Sequence, residues 1–400
     1  MNSEIDAMCA RGAAAGDPAP LSARFARCAA RFAGDVAGGS PAHIPSDVLA
    51  PGGAGGDGGV AGRSPMDVLA RYAEGAGLCA ELRAFPARGS LRERFAQNPL
   101  LMAPMAGVSD AAYRLMARAG GAALAYSEMV SVAGLHYGSD KTWELVKPQS
   151  AEPDIAVQLF GAEPAQFREA AAAVAKRVGQ KLVLIDINMA CPMPKVTKNG
   201  SGAALLDNPQ RAEAIVAACR EGLTDAGMDV PVTAKIRRGY RLGEEVAPEF
   251  ARVLEEAGVD AVAVHGRYAN QLYRGEASWD VVRRVSEAVD VSVIGSGDVR
   301  DHAMALRMLE ETGCAAVMVA RGTYGNPWVF AGYEPTAEER LAAFACHVRL
   351  LEATGAHMAR ARSLAGWYFK GMPGAARLRG EAVRCNTCKE FLALIDRASE

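Results

Sequence analysis

From Asn98 onward the chain alternates short apolar runs with longer amphipathic ones, and no other feature narrows its possible folds as far. The apolar runs at 100–103, 122–126, 155–159, 182–187, 232–236, 261–264, 291–294 and 315–319 have the length and composition of buried strands. Segments of helical character lie between them, at 110–118, 164–178, 209–222, 244–257, 278–288 and 301–311. Strands that alternate with helices pair in parallel, because each helix carries the chain back to the starting end of the sheet. Eight such units over about 230 residues predict an α/β fold of the (β/α)8 TIM-barrel type, whose usual size is ~250 residues. A doubly wound open sheet is the structural alternative; it fits less well, because no GxGxxG follows the first strand.

The flanks have a different texture. Residues 1–95 are rich in Gly, Ala and Pro, as in Pro51 to Gly59, and cannot bury enough surface to offset the entropy of ordering. They are expected to form a largely disordered extension with short helical pieces at 21–32 and 66–82, and Met66 is a candidate later start. The barrel is assigned to 96–335. Residues 336–400 read as a helical domain, with helices at 338–354, 358–368 and 379–399 broken at Gly355 and Met372-Pro373-Gly374.

Charge and cysteine usage exclude several classes. A formal net charge of −2 leaves no global attraction to nucleic acid, so any such binding needs a local basic patch. The segment 346–389 supplies one: Arg349, Arg360, Arg362, Lys370, Arg377, Arg379, Arg384 and Lys389 stand against Glu352 and Glu381. A solvated helical face accounts for this, and so does an anionic partner of nucleic-acid size, with Trp367 and Tyr368 suited to base contacts. Nine cysteines without framework spacing point to reduced thiols and a cytoplasmic protein. Cys385-Asn386-Thr387-Cys388 has no second pair, so no metal site is expected. No apolar run reaches the ~18 residues of a membrane helix, and the N-terminus lacks a secretory pattern.

Chemistry is expected at the carboxyl ends of the strands. The fourth run ends in Asn188-Met189-Ala190-Cys191-Pro192-Met193-Pro194-Lys195, which by itself admits a structural thiol as readily as a reactive one. The first opens into Pro104, Met105 and Ala106, small enough in part for a flat ring to approach the backbone. The third ends at Gln158, and Lys235 lies within the fifth, where a buried cation requires a partner. The sixth ends at His265 and Arg267. The seventh and eighth end in Ser296-Gly297-Asp298 and Ala320-Arg321, the loops where barrels bind phosphate. Asp298 would repel a phosphate, so its side chain is expected to cap the next helix. Together these positions imply a phosphate-bearing flavin, FMN, with Lys235 and His265 near its ring or phosphate.

These stretches resemble the tRNA-dihydrouridine synthase family, most closely its bacterial B-type members. The resemblance runs from Asn98 to near the C-terminus and rests on Ala103 to Asp110, Gln158 to Gly161, Asp186 to Lys195, Lys198 to Leu206, Lys235-Ile236-Arg237, His265-Gly266-Arg267 and Arg321 to Trp328. It implies reduction of the 5,6 double bond of uridine in tRNA, in the D-loop, by FMN that NADPH reduces. Cys191 would be the general acid that protonates C5. Pro104, Met105, Ala106, Gln158, Lys235, Gly297, Asp298 and Arg321 would bind FMN, with His265, Ser296 and Ala320 beside them. Asn188, Lys195 and Arg267 would contact uridine or RNA, and Arg360, Arg362, Lys370 and Arg377 would hold tRNA. No membrane and no obligatory protein partner are implied.

The sequence departs from the family pattern at Ala190, at Ser296 and at Tyr268-Ala269, where Gly, Asn and Thr-Arg are usual. The last change removes a cation near the RNA entrance. Two rival readings exist: a small-molecule FMN barrel, and a barrel that binds RNA without catalysis. The first leaves the basic tail unexplained, and the second the reactive side chains.

Overall fold

The computed structural model describes residues 91–149 and 152–399. The expected helical pieces at 21–32 and 66–82, and Met66, lie outside the described residues. Within them the nine strands are β1 (Leu100–Met102), β2 (Leu124–Ala125), β3 (Val130–Ser131), β4 (Ile155–Phe160), β5 (Leu182–Met189), β6 (Val232–Gly239), β7 (Ala261–Tyr268), β8 (Ser292–Ser296) and β9 (Ala316–Val319). They form one sheet in the order β2-β1-β9-β8-β7-β6-β5-β4-β3, and every pair is parallel. A bridge from Tyr126 to Ala156 joins the two ends and closes the barrel.

The eight-unit expectation holds, with one stave divided. The run 122–126 yields only the two residues of β2, and β3 takes up pairing with β4 at Leu159 and Phe160. Strands β5, β6 and β7 run two to four residues past the apolar runs that announce them. The extra residues include Asn188, Arg237 and His265, polar groups that hydrophobicity does not mark but that the backbone ladder still pairs.

The helices follow local chemistry. Asp110, Asn208 and Asp301 accept backbone N–H bonds at the starts of Ala111–Ala119, Pro209–Asp225 and His302–Thr312. Pro164 and Pro209 open their helices where no N–H partner is needed. Leu91–Gln97 is also helical: Leu91 and Phe95 are buried, and Arg94 pairs with Asp154 at 3.1 Å. Residues 91–95, read as part of the extension, are thus packed against the barrel, because this short stretch has an apolar face and a buried partner for its arginine.

The tail consists of Ala337–Ala353, Arg360–Tyr368, Ala375–Ala382 and Cys388–Ser399. A reciprocal cap between Thr336 and Glu339 starts it. The helix expected over 379–399 is two helices: Thr387 and Glu390 exchange bonds with each other's backbone N–H, which starts a new helix at Cys388. Phe344 stacks on Tyr368 at 5.2 Å and meets Phe369 and Phe391 edge-on, giving the tail an aromatic centre. The apolar core is continuous from barrel to tail.

Tail and barrel meet closely at Gly325 (φ +62°), where an added Cβ would lie 2.7 Å from the Trp367 carbonyl carbon. Gly325→Ala is expected to destabilise the protein by about 1–3 kcal/mol through left-handed strain and loss of this backbone approach, read by urea melts.

Candidate active site

A cleft of about 800 Å³ opens at the carboxyl ends of the strands. Its lining includes Pro104, Met105, Ala106, Gln158, Asn188, Cys191, Lys235, His265, Ser296, Gly297, Asp298, Ala320, Arg321 and Lys370. Residues spread over more than 260 positions of sequence therefore share one cavity. Lys195, Arg267, Arg360, Arg362 and Arg377 do not line it.

The wall beneath Cys191 is a hydrogen-bond chain anchored in the core. Thr233 Oγ1 donates to Asp186 Oδ1 at 2.6 Å, and Gln158 Nε2 donates to Asp186 Oδ2 at 2.6 Å. Asn188 Nδ2 donates to Gln158 Oε1 at 2.7 Å, while Asn188 Oδ1 accepts from the N–H groups of Ala190 and Cys191 at 3.1 and 2.8 Å. Arg237 secures the other side of the loop through Nε to the Ala190 carbonyl at 2.9 Å. Cys191 is thus presented on a turn pinned from two directions, and Asn188, expected to touch substrate, also holds this turn.

Burial pushes the Asp186 carboxyl up to about 6 against the pull of Thr233, Gln158 and Lys235. Burial, with Arg237 nearby, brings the Lys235 ammonium down to about 8 against the pull of Asp186 and Cys191. Between pH 8 and 10.5 the unfolded chain keeps a lysine proton that the folded chain has lost. The Lys235 contribution to the stability of the ligand-free protein should therefore rise with pH across that window, by on the order of 3 kcal/mol. The thiols of Cys219 and Cys388, pushed up by burial, act in the opposite direction. Urea melts at pH 7.5 and 10 should show stability changing more favourably with rising pH in the parent protein than in Lys235→Met, the difference being the Lys235 contribution.

The seventh and eighth strand ends make a tight cradle. A Cβ on Gly297 (φ +122°) would sit 2.9 Å from the His265 ring, and one on Gly322 would meet the Val299 carbonyl at 2.6 Å. Burial and the cations Lys235, Arg237, Arg267 and Arg321 hold His265 well below the usual imidazole range, so the ring is neutral. Asp298 does not cap the following helix; Asp301 does. The Asp298 carboxylate instead accepts from Arg267 Nη1 and Nη2 at 2.8 and 2.7 Å, from Arg321 Nη2 at 3.1 Å and from the Ala277 N–H at 2.8 Å. The competing arginines outbid a helix cap because each bond to a guanidinium joins opposite charges.

Arg267, expected at the RNA, is buried and donates to the Arg274 and Gly275 carbonyls as well as to Asp298. Lys195 is exposed on the turn Pro194–Thr197. In the tail, Arg362 donates to the Cys385 carbonyl and Asn386, and Arg377 pairs with Glu381 at 2.7 Å. Arg360 reaches Asp110 and Glu128 of the barrel. Tyr368, paired with Trp367 in the sequence reading, lies in the tail core; Trp367 alone reaches the cleft, stacked on Tyr324 at 4.0 Å and 10°.

Sequence reasoning left Arg237, Tyr273 and Tyr324 out of the site. Tyr273 stands exposed at the cleft, with the Arg237 and Arg321 guanidinium groups 5.8 and 5.1 Å from its ring. Tyr273 follows a barrel strand by five residues, and only that position could have marked it.

Residues 101–400 match the family model described as "Dihydrouridine synthase (Dus)". The chain is 36% identical to a "Probable tRNA-dihydrouridine synthase 1" of Synechocystis sp., over 75% of this chain and 86% of the relative. It is 36% identical to a "Probable tRNA-dihydrouridine synthase" of Treponema pallidum, over 74% and 92%. It is 35% identical to "tRNA-dihydrouridine synthase B" of Pseudomonas aeruginosa, over 74% and 93%.

Proposed function

The chain belongs to the dihydrouridine synthase family, and from that membership we propose that it reduces the 5,6 double bond of a D-loop uridine in tRNA with bound FMN and NADPH. One observation carries this reading: a single cleft gathers the buried cation Lys235, the pinned thiol Cys191 and the cradle at Gly297 and Arg321. Among the described residues no helix is long and apolar enough to cross a membrane. The free cysteines suit a cytoplasmic setting.

The cleft suits FMN on its own terms. Its volume accommodates a cofactor of that size. Gly297 and Gly322 keep the seventh and eighth loops open where a side chain would crowd the cradle, and Arg321, half exposed beside it, has a charge to give a phosphate. Lys235 offers a cation to the polar edge of a ring, and Gln158 retains one amide hydrogen beyond its bond to Asp186. Pro104, Met105 and Ala106 form a flank of the cleft, with His265, Ser296, Asp298 and Ala320 completing the cradle. When bound, the flavin would supply hydride to C6 of the uracil.

The chain's own part is to place the base and move a proton. Cys191 gives its proton to C5, and Asn188 and Arg237 keep the loop that carries it in place. A uridine in folded tRNA reaches the cleft only when flipped out, at a cost of a few kcal/mol that phosphate contacts elsewhere offset. Lys195, Lys370 and Arg377 stand exposed to make such contacts, while Arg362 joins the tail's own turn. NADPH uses the same opening at a different time.

Cys191→Ala should retain FMN, seen by absorbance, and NADPH-driven bleaching of it, yet form no dihydrouridine in tRNA. Full turnover would remove Cys191 from the acid role. Lys370→Glu with Arg377→Glu should weaken tRNA binding and flatten its dependence on salt, measured by filter binding between 50 and 200 mM salt. Unchanged affinity at low salt would exclude the tail as the RNA surface.

A further inference from the structure

We infer that Arg360 is a positioning residue that fastens the tail to the first cleft loop, and is not a contact for RNA. Its Nη2 donates to Glu128 Oε1 at 2.9 Å, and its Nη1 lies 3.1 Å from Asp110 Oδ2. These carboxylates come from separate parts of the barrel. Asp110 caps helix Ala111–Ala119 through the Tyr113 N–H, and Glu128 follows β2. The second oxygen of Glu128 accepts from the Gly107 N–H at 2.5 Å. Gly107 adjoins Ala106 and Met105 on the loop that flanks the cleft. One guanidinium on the tail thus holds, through one carboxylate, the backbone of the loop proposed to receive the flavin.

The surroundings make this arginine hard to replace. The side chains of Asp110 and Glu128 are 14% and 10% exposed, so neither carboxylate has much water to turn to. Arg114, the neighbouring cation, is already committed to Glu152 in a two-bond pair at 2.6 and 3.0 Å. Without Arg360 the neighbouring carboxylates of Asp110 and Glu128 lose their shared cation, and Glu128 loses the contact that orients it toward Gly107. A phosphate contact would instead require both terminal nitrogens to leave these carboxylates. Arg349, Lys370, Arg379, Arg384 and Lys389 are exposed on the tail and carry no such cost.

The consequence for flavin rests on the proposed function, so the test separates the two. In the full-length protein, Arg360→Gln should weaken FMN retention about tenfold, by dilution and fluorescence. The slope of log affinity for unmodified tRNA against log salt should stay at the parent value. Arg360→Gln with Glu128→Gln should recover much of the loss, since the neutral amide no longer lacks a counterion. A slope reduced by about one, with FMN retention unchanged, would make Arg360 a phosphate contact. No recovery in the double variant would remove Glu128 from the arrangement. The parent, the two single variants Arg360→Gln and Glu128→Gln, and the double variant, melted without FMN, should show a non-additive change in Tm. If the parent bound no FMN, the proposed function would fail, and the melting cycle would still decide whether the fastening exists.

Discussion

A buried carboxylate with no choice of hydrogen-bond role sets the polarity of the cleft. Ionised Asp186 can only accept, so Thr233 and the Gln158 amide nitrogen must both turn toward it. That leaves the Gln158 oxygen facing Asn188, which must answer with its own nitrogen. The Asn188 oxygen then faces the Ala190 and Cys191 N–H groups. Each amide along the wall has one orientation that satisfies its neighbours, and the last link is the backbone of the reactive loop. The charge is costly to bury, as the upward shift of Asp186 shows. The return is a loop whose position is decided in the core and not at the surface.

The same economy governs the arginines. Arg237, which lines the cleft, and Arg267, expected at the RNA, are both buried, and both use their donors on carbonyls or on Asp298. Arginine suits this use because its fork can tie several chain segments at once. The cations left exposed, such as Lys370 and Arg321, are those that can still meet a phosphate.

Much of this was legible in advance. Parallel barrel topology followed from the alternation of runs, and the cleft-lining side chains from their places at the strand ends. What escaped was decided by pairing between distant residues. No local pattern shows that Asp298 turns to Arg267 and leaves the cap to Asp301. Nor does any show that Tyr368 faces inward while Trp367, one position away, reaches the cleft. Strand ends were misjudged for a related reason: apolar content reports burial by the core, whereas the ladder at Asn188 and His265 continues through polar residues that face a cavity.

The divided stave has its own consequence. Between β2 and β4 the barrel is joined by one bridge, Tyr126 to Ala156, while other neighbouring strands share as many as six paired positions. Local opening costs least where the fewest backbone bonds must part. Amide protons along this seam should therefore exchange with solvent before those of β5 to β7. Glu128, two residues beyond the bridge, belongs to the lip of the seam, so the loop it holds borders the part of the wall that breathes most readily.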